Sequence, residues 1–296
     1  MCLLLHLVVA IPLLLSSLPI TRIDKTYLHK AQVASHAVLG LLLVVYPSSL
    51  LAWTVDGDFK DLHSFMQSYI GVFHLSVGLE SITTQPGRPF IFARLLSAFF
   101  CLFTRLFAAW HLSEKSTRGL LISTEEETVD ERLHHLCAET TRCAEGKNSS
   151  YLINALYVDA SIAFCYALFH FAFPQNILKI VIKPNIDLDS HHYMWCRLFG
   201  ALWLMPALGS LAAVAAPPAQ QLTHLLSRLI VQVGIVAIHV YGHWILAVFS
   251  PNHITAFMVA GFFMSFHIST FYRYKKAFAS EPKSRVSAKV EIKKVK

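Results

Sequence analysis

The sequence predicts an all-α fold, a polytopic transmembrane helical bundle of seven to eight spans with an internal three-span repeat. Long apolar runs of about 20 residues, the length that crosses a bilayer as a helix, recur along nearly the whole chain between short polar connections. The mean hydropathy is +0.51 and only 15% of residues are charged, too few to cover that much apolar surface in water. The two halves of the chain also echo one another. Barrel strands would instead show alternating segments of about 10 residues, which are absent.

Taken in order, residues 1–30 hold an apolar start, Met1 to Ile20, read as a first span or a signal peptide, followed by Arg22 and Lys25. Residues 31–112 hold the first three-span unit, with spans Ala31 to Trp53, Phe65 to Thr83 and Phe90 to Leu112. Residues 113–150 form a hydrophilic loop in which Ser123-Thr124-Glu125-Glu126 reads as a capping box opening a short amphipathic helix. Residues 151–272 hold the second unit and a final span: Leu152 to Ile180, Met194 to Ala215, Leu222 to Phe249 and Ile254 to Tyr272. Residues 273–296 are a basic tail.

Counting Lys and Arg near span ends places the C-terminus in the cytosol together with Lys60 and the 113–150 loop. Lys25, Lys30, Arg88, Lys179 and Lys183 fall on the opposite side, and the sequon Asn148-Ser149-Ser150 is expected to carry no glycan. Lys293 and Lys294 match the dilysine pattern of endoplasmic reticulum retrieval, so the chain is read as an integral protein of that membrane. The tail's charge is that of a topology determinant or an anionic-lipid contact, and nucleic acid is not an expected partner. Cys101, Cys165 and Cys196 read as packing residues, and Cys137 and Cys143 lack the spacing of a zinc site.

The repeat rests on matched positions. Tyr46-Pro47 answers Phe173-Pro174, Gly71 answers Gly200, and Leu79 to Ser81 answers Leu208 to Ser210. Arg94 and Trp110 answer Arg228 and Trp244 at equal spacing. Three spans per unit make the two units inverted, an arrangement common in secondary transporters, whose site lies at mid-membrane between the repeats; a further span within Ser113 to Ser150 would make them parallel instead, but that stretch holds no apolar run long enough.

The chain from Tyr151 to Phe278, and more weakly the first half, resembles the DoxX-like group of small four-helix membrane proteins. The resemblance covers about two thirds of the chain and rests on topology and a glycine pattern: Gly71 and Gly78, Gly200 with Ala207, and Pro86-Gly87-Arg88-Pro89. That group often carries a glutamate three places after the first glycine, where this chain has His74 and Trp203, so no chemistry transfers from it. Relatives in the group include assembly chaperones of other membrane proteins, and the resemblance implies no more than that.

Polar groups inside a span are costly and are functional candidates by default. Arg228, Gln232, His239 and His243 recur at helical spacing as one polar stripe, and Arg105 stands where the second unit has His239. Glu80 and Asp159 are the acidic partners available to Arg105. His239 and His243 share a face and are the candidate metal ligands, but two ligands do not complete a site. Trp53, Trp110, Tyr193, Trp195 and Trp244 are read as interfacial belt residues. No phosphate loop, nucleophile elbow or triad spacing is present, and no cofactor is implied.

Three functions remain open. The first is a non-enzymatic scaffold or assembly factor for other membrane proteins. The second is a transporter of a lipid or anionic small molecule with a mid-membrane cationic site around Arg105 and His239. The third is a lipid-modifying enzyme using His239 and His243. The partners expected are membrane lipids and other membrane proteins.

Overall fold

Proline sets the helix breaks. In the computed structural model, which describes residues 25–54, 60–83, 88–112 and 150–279, α1 (Lys25–Val45) breaks at Tyr46 into the short α2 (Pro47–Thr54). α5 (Ser150–Ala172) breaks at Phe173 into the short α6 (Pro174–Val181) in the same way, because a proline offers no N–H and its ring crowds the preceding turn. The remaining helices are α3 (Asp61–Thr83), α4 (Arg88–Leu112), α7 (Ser190–Val214), α8 (Pro218–Val240) and α9 (Ile254–Ala279). α7 starts at an Asp189 cap that accepts the His191 and His192 N–H groups, and α8 starts at a proline.

The bundle is polar inside and apolar outside. Phe99, Phe103 and Leu106 on α4, Phe164 and Leu168 on α5, and Met258 and Phe262 on α9 are exposed, whereas Glu80, Arg94, Asp159 and Arg228 are buried. Five helical stretches are long and apolar enough to cross a membrane: Pro89–Ala108, Tyr151–Ala172, Ser190–Val214, Pro218–Ile245 and Pro251–Lys276. This is the arrangement of an integral membrane protein, whose exterior side chains meet lipid. The two further predicted spans, Ala31 to Trp53 and Phe65 to Thr83, are helical as α1 with α2 and as α3. The expected N-terminal span, loop helix, Cys137, Cys143, Asn148, Lys293 and Lys294 lie outside the described residues.

α3 and α7 meet at the centre. α1 lies on α3 and α5 on α7, while α4 packs on α7 and α8 on α3. Two glycines set the closest crossings. A Cβ on Gly71 would stand 2.9 Å from the Gly40 carbonyl and 2.8 Å from Leu43 and Val44, and one on Gly200 would stand 2.8 Å from the Ala167 carbonyl and 2.7 Å from the Phe171 nitrogen. Only a residue without Cβ lets the backbones approach this far.

The direction of the helices corrects the expected topology. His63 at the start of α3 touches Asp189 at the start of α7, so both helices begin at the same end of the bundle, called here the histidine end. Phe90, Leu152, Val214 and Leu225 form one apolar cluster with Phe271 and Tyr274 at the opposite, tail end. The two halves therefore run parallel, not inverted. α4 finishes at the histidine end, where Ala108 lines a groove with Ser190, and α5 begins at the tail end. The count of apolar runs had placed both ends of the 113–150 loop on one side, because that loop shows no run of spanning length.

The basic residues regroup accordingly. Lys25, Lys30 and Arg88 lie at the tail end with Arg273, Lys275 and Lys276, while Lys60 joins Lys179 and Lys183 at the histidine end beside Asp61, Asp187 and Asp189. Cysteines placed at Lys60 and Lys183 are expected to react with an impermeant maleimide from the same side of sealed vesicles, and cysteines at Arg88 and Arg273 from the other. Gly71→Ala and Gly200→Ala are each expected to cost about 1–3 kcal/mol in detergent unfolding, whereas Gly261→Ala, where an added Cβ meets nothing, leaves stability unchanged or slightly raised.

Candidate functional site

A buried chain of charged and polar groups links six helices near the tail end. Arg94 of α4 donates to Glu80 of α3 at 2.9 Å and to the Ser81 hydroxyl at 2.8 Å. Arg228 of α8 grips Asp159 of α5 through Nε and Nη2, both at 2.8 Å. His224 of α8 joins the two pairs, with Nδ1 at 3.3 Å from Glu80 and Nε2 at 2.8 Å from the Ser210 hydroxyl of α7. Ser210 gives its proton to Asp159 and so accepts from His224 Nε2. His267 of α9 also contacts Asp159, at 2.9 Å, while its other ring nitrogen faces the Phe263 carbonyl at 2.7 Å. Two guanidinium groups thus balance two carboxylates where lipid surrounds the bundle.

Toward the histidine end lies a cavity of about 120 Å³ between α3, α5, α7, α8 and α9. Tyr69, Phe199, Trp203 and Phe249 give it flat aromatic walls, and Gln232, His239 and His253 are among the polar side chains lining it. His253 stacks on Phe249 at 3.5 Å, and His239 meets His253 edge-on at 4.5 Å. Gln232 Nε2, His239 Nδ1, His253 Nδ1 and the indole nitrogens of Trp195 and Trp203 are buried with no hydrogen-bond partner. Unmade hydrogen bonds of this kind are costly, and a natural protein rarely keeps several around one void. α8 continues into a π turn, Tyr241–Ile245, where a Cβ on Gly242 would strike Phe65 and Phe249, two residues of the cavity lining, within 2.6 Å. Such turns often accompany functional sites.

At the histidine end, His63 Nε2 lies 3.0 Å from Asp189 and His192 Nδ1 lies 2.8 Å from the same carboxylate. The two imidazoles stack with centroids 3.9 Å apart. Each also accepts the N–H of its own helix cap, His63 from Lys60 and His192 from Asp189, both at 3.1 Å. Burial pulls His63 below the ordinary imidazole value, against the opposing pull of Asp189. Burial would raise Asp189, but the backbone N–H of His192 and the neighbouring imidazoles hold it below the ordinary carboxylate value.

The structure divides the predicted residues into different environments. Arg228 and Asp159 meet directly, and Gln232 and His239 line the aromatic cavity. Glu80 pairs with Arg94, not with Arg105 as expected. Arg105 instead lies over the Trp195 ring at 5.2 Å, because α4 runs along α7 and carries its middle away from both carboxylates. His243 sits on the π turn beside Trp244 and Phe257. Among the described residues, His239 and His243 do not join a three-ligand cluster; the one such cluster is His63, Asp189 and His192. Trp195 is fully buried and is a cavity residue, whereas Trp244 is exposed as a belt residue would be. Sequence reading missed Ser210, His224, His253 and His267, and did not count Arg94 among the polar groups inside a span. The equal spacing of Arg94 and Arg228 was the signal that Arg94 also belongs inside.

A protein-family model, described as a domain of unknown function (DUF8292), matches residues 30–274, from within α1 to within α9. No curated protein and no solved structure matches the chain.

Removing one member of a buried ion pair leaves the other uncompensated. Asp159→Asn is expected to lose roughly 3–5 kcal/mol of stability in detergent unfolding, and the double change Asp159→Leu with Arg228→Met to recover only part of that loss, because Ser210 and His267 still lose their acceptor.

Proposed function

The chain belongs to that family of unknown function, and we propose that its members of this architecture bind a small ligand inside the membrane, as a carrier or transporter does. The observation that carries this reading is the aromatic cavity with its unpartnered polar atoms. A void of about 120 Å³ is close to the roughly 150 Å³ that accepts a benzene ring. Trp195, Trp203 and Gln232 present N–H groups that can only donate. A planar ring bearing a carbonyl or carboxylate oxygen is the ligand that suits both.

The same proposal includes a duplicated three-helix unit, seven to eight spans with α1 and α3 counted, residence in the endoplasmic reticulum and a cytosolic C-terminal tail. Duplication is supported by the paired crossings: Gly71 meets Gly40, Leu43 and Val44, and Gly200 meets the matching Ala167, His170 and Phe171. It is also supported by the matched caps at His63 and His192 and the matched arginines. The basic excess at the tail end supports a cytosolic tail. A scaffold or assembly factor of the kind suggested by the DoxX-like resemblance is the competing proposal.

Native mass spectrometry of the intact protein in mild detergent, with analysis of the released small molecules, separates the two. Wild type is expected to retain a ring-containing species of low mass that Gln232→Leu and His239→Phe lose, while Arg105→Ala, one indole away from the cavity, weakens retention less. Protein that carries the same species in all four forms, or none in any, returns the function to the scaffold.

A further inference from the structure

We propose that His63, Asp189 and His192 form a binding site for a divalent transition-metal ion at the histidine end of the bundle, distinct from the aromatic cavity. Three donors of the right type already converge. One oxygen of Asp189 is 3.0 Å from His63 Nε2 and the other is 2.8 Å from His192 Nδ1, and one donor atom from each residue falls within 4.8 Å of the others. Ligand atoms on one tetrahedral zinc stand about 3.3 Å apart, given bonds of 2.0–2.1 Å. Small side-chain movements therefore suffice to admit the ion.

A second observation points the same way. His192 is fully buried, yet its Nε2 has no hydrogen-bond partner. Coordination through Nε2 moves the ring proton to Nδ1 and gives up the cap hydrogen bond that Nδ1 accepts, and coordination through Nδ1 replaces that bond by a metal bond. His191, partly exposed, holds Nδ1 3.9 Å from Asp189 and is the nearest candidate for a fourth ligand. Asp189 is about half exposed, so an ion reaches the carboxylate from solvent and meets the buried imidazoles behind it. Imidazole and carboxylate together suit zinc and its neighbours in the first transition row rather than calcium or magnesium.

The halves supply the site jointly. His63 comes from α3 and His192 with Asp189 from α7, the two helices that meet at the centre of the bundle. A bound ion would tie the first turn of one helix to the first turn of the other, adding to the shared carboxylate and the stacked rings that already join them.

The test uses full-length protein in mild detergent, stripped with chelator and titrated with cobalt(II) as an optical probe and with zinc(II) by mass analysis of the bound metal. Wild type is expected to take up one equivalent with the visible bands of a tetrahedral or five-coordinate ion. Asp189→Ser keeps an oxygen to cap α7 but removes the carboxylate, and His63→Gln removes one ring; each is expected to weaken binding by about tenfold or more. His243→Gln, remote from the cluster, is expected to bind as wild type does. Thermal unfolding of the metal-free forms checks that the variants fold. Uptake that persists unchanged in folded Asp189→Ser, or wild type that binds no more than a variant carrying both Asp189→Ser and His63→Gln, means an adventitious ion only and overturns the site. The aromatic cavity is untouched by either outcome.

Discussion

The structure depends on the buried charge chain from Arg94 to Arg228. A bundle whose outer face is apolar gains nothing from hydrophobic burial between helices once lipid surrounds it, so specificity has to come from packing and polar contacts. Glu80, His224, Ser210 and Asp159 connect α3, α5, α7 and α8, while Arg94 and His267 add α4 and α9. Leaving any of these groups alone in a low-dielectric interior is costly, so the helices are held in one register by mutual need. Close approach at Gly71 and Gly200 then fixes the lateral spacing that the hydrogen bonds require.

Much of the helical class was legible in the sequence, because spans of apolar residues report their solvent directly. Of the stripe expected on α8, Arg228 and Gln232 are buried and His239 lines the cavity, while His243 falls on the π turn beyond the helix. What could not be read was which carboxylate each arginine meets. Arg94 and Arg105 lie on one helix, and only the reach of the Arg94 side chain from the first turns of α4 to the last turn of α3 gives Glu80 to Arg94. His224, His253 and His267 were hidden for a related reason. Each is a single polar residue in an apolar run, and its partner comes from a helix distant in sequence.

Topology was the sharper failure. Crossing number was inferred from apolar runs alone, and a connection with no such run was counted as staying on one side. His63 against Asp189 places the starts of α3 and α7 together and makes the halves parallel. The matched residues supported duplication equally well in either direction, since a sequence alignment carries no information about which face of the membrane a helix enters. The positions of Lys60 and Arg88 were then assigned to the wrong ends as a consequence of that one count.

The common direction of α3 and α7 has a consequence for where a ligand can sit. Inverted halves place their site at mid-membrane between them, whereas parallel halves place equivalent residues at the same depth around a central axis. Residues that matter on that axis come in pairs, as His63 and His192 do where their rings stack. Off that axis the matched positions differ in chemistry. Trp203 answers His74, which meets His36 through paired ring nitrogens at 2.9 Å, and Gln232 and His239 are answered on α4 by Ala98 and Arg105. One half therefore fills the space with hydrogen-bonded imidazoles while the other leaves it open behind indoles. The indole of Trp203 forms the wall between the two systems, with the Arg228 guanidinium 5.1 Å from its ring and the cavity among the surfaces it lines. The charge chain thus holds the cavity wall in place without lending the cavity a charge, since Arg228 is already neutralised by Asp159.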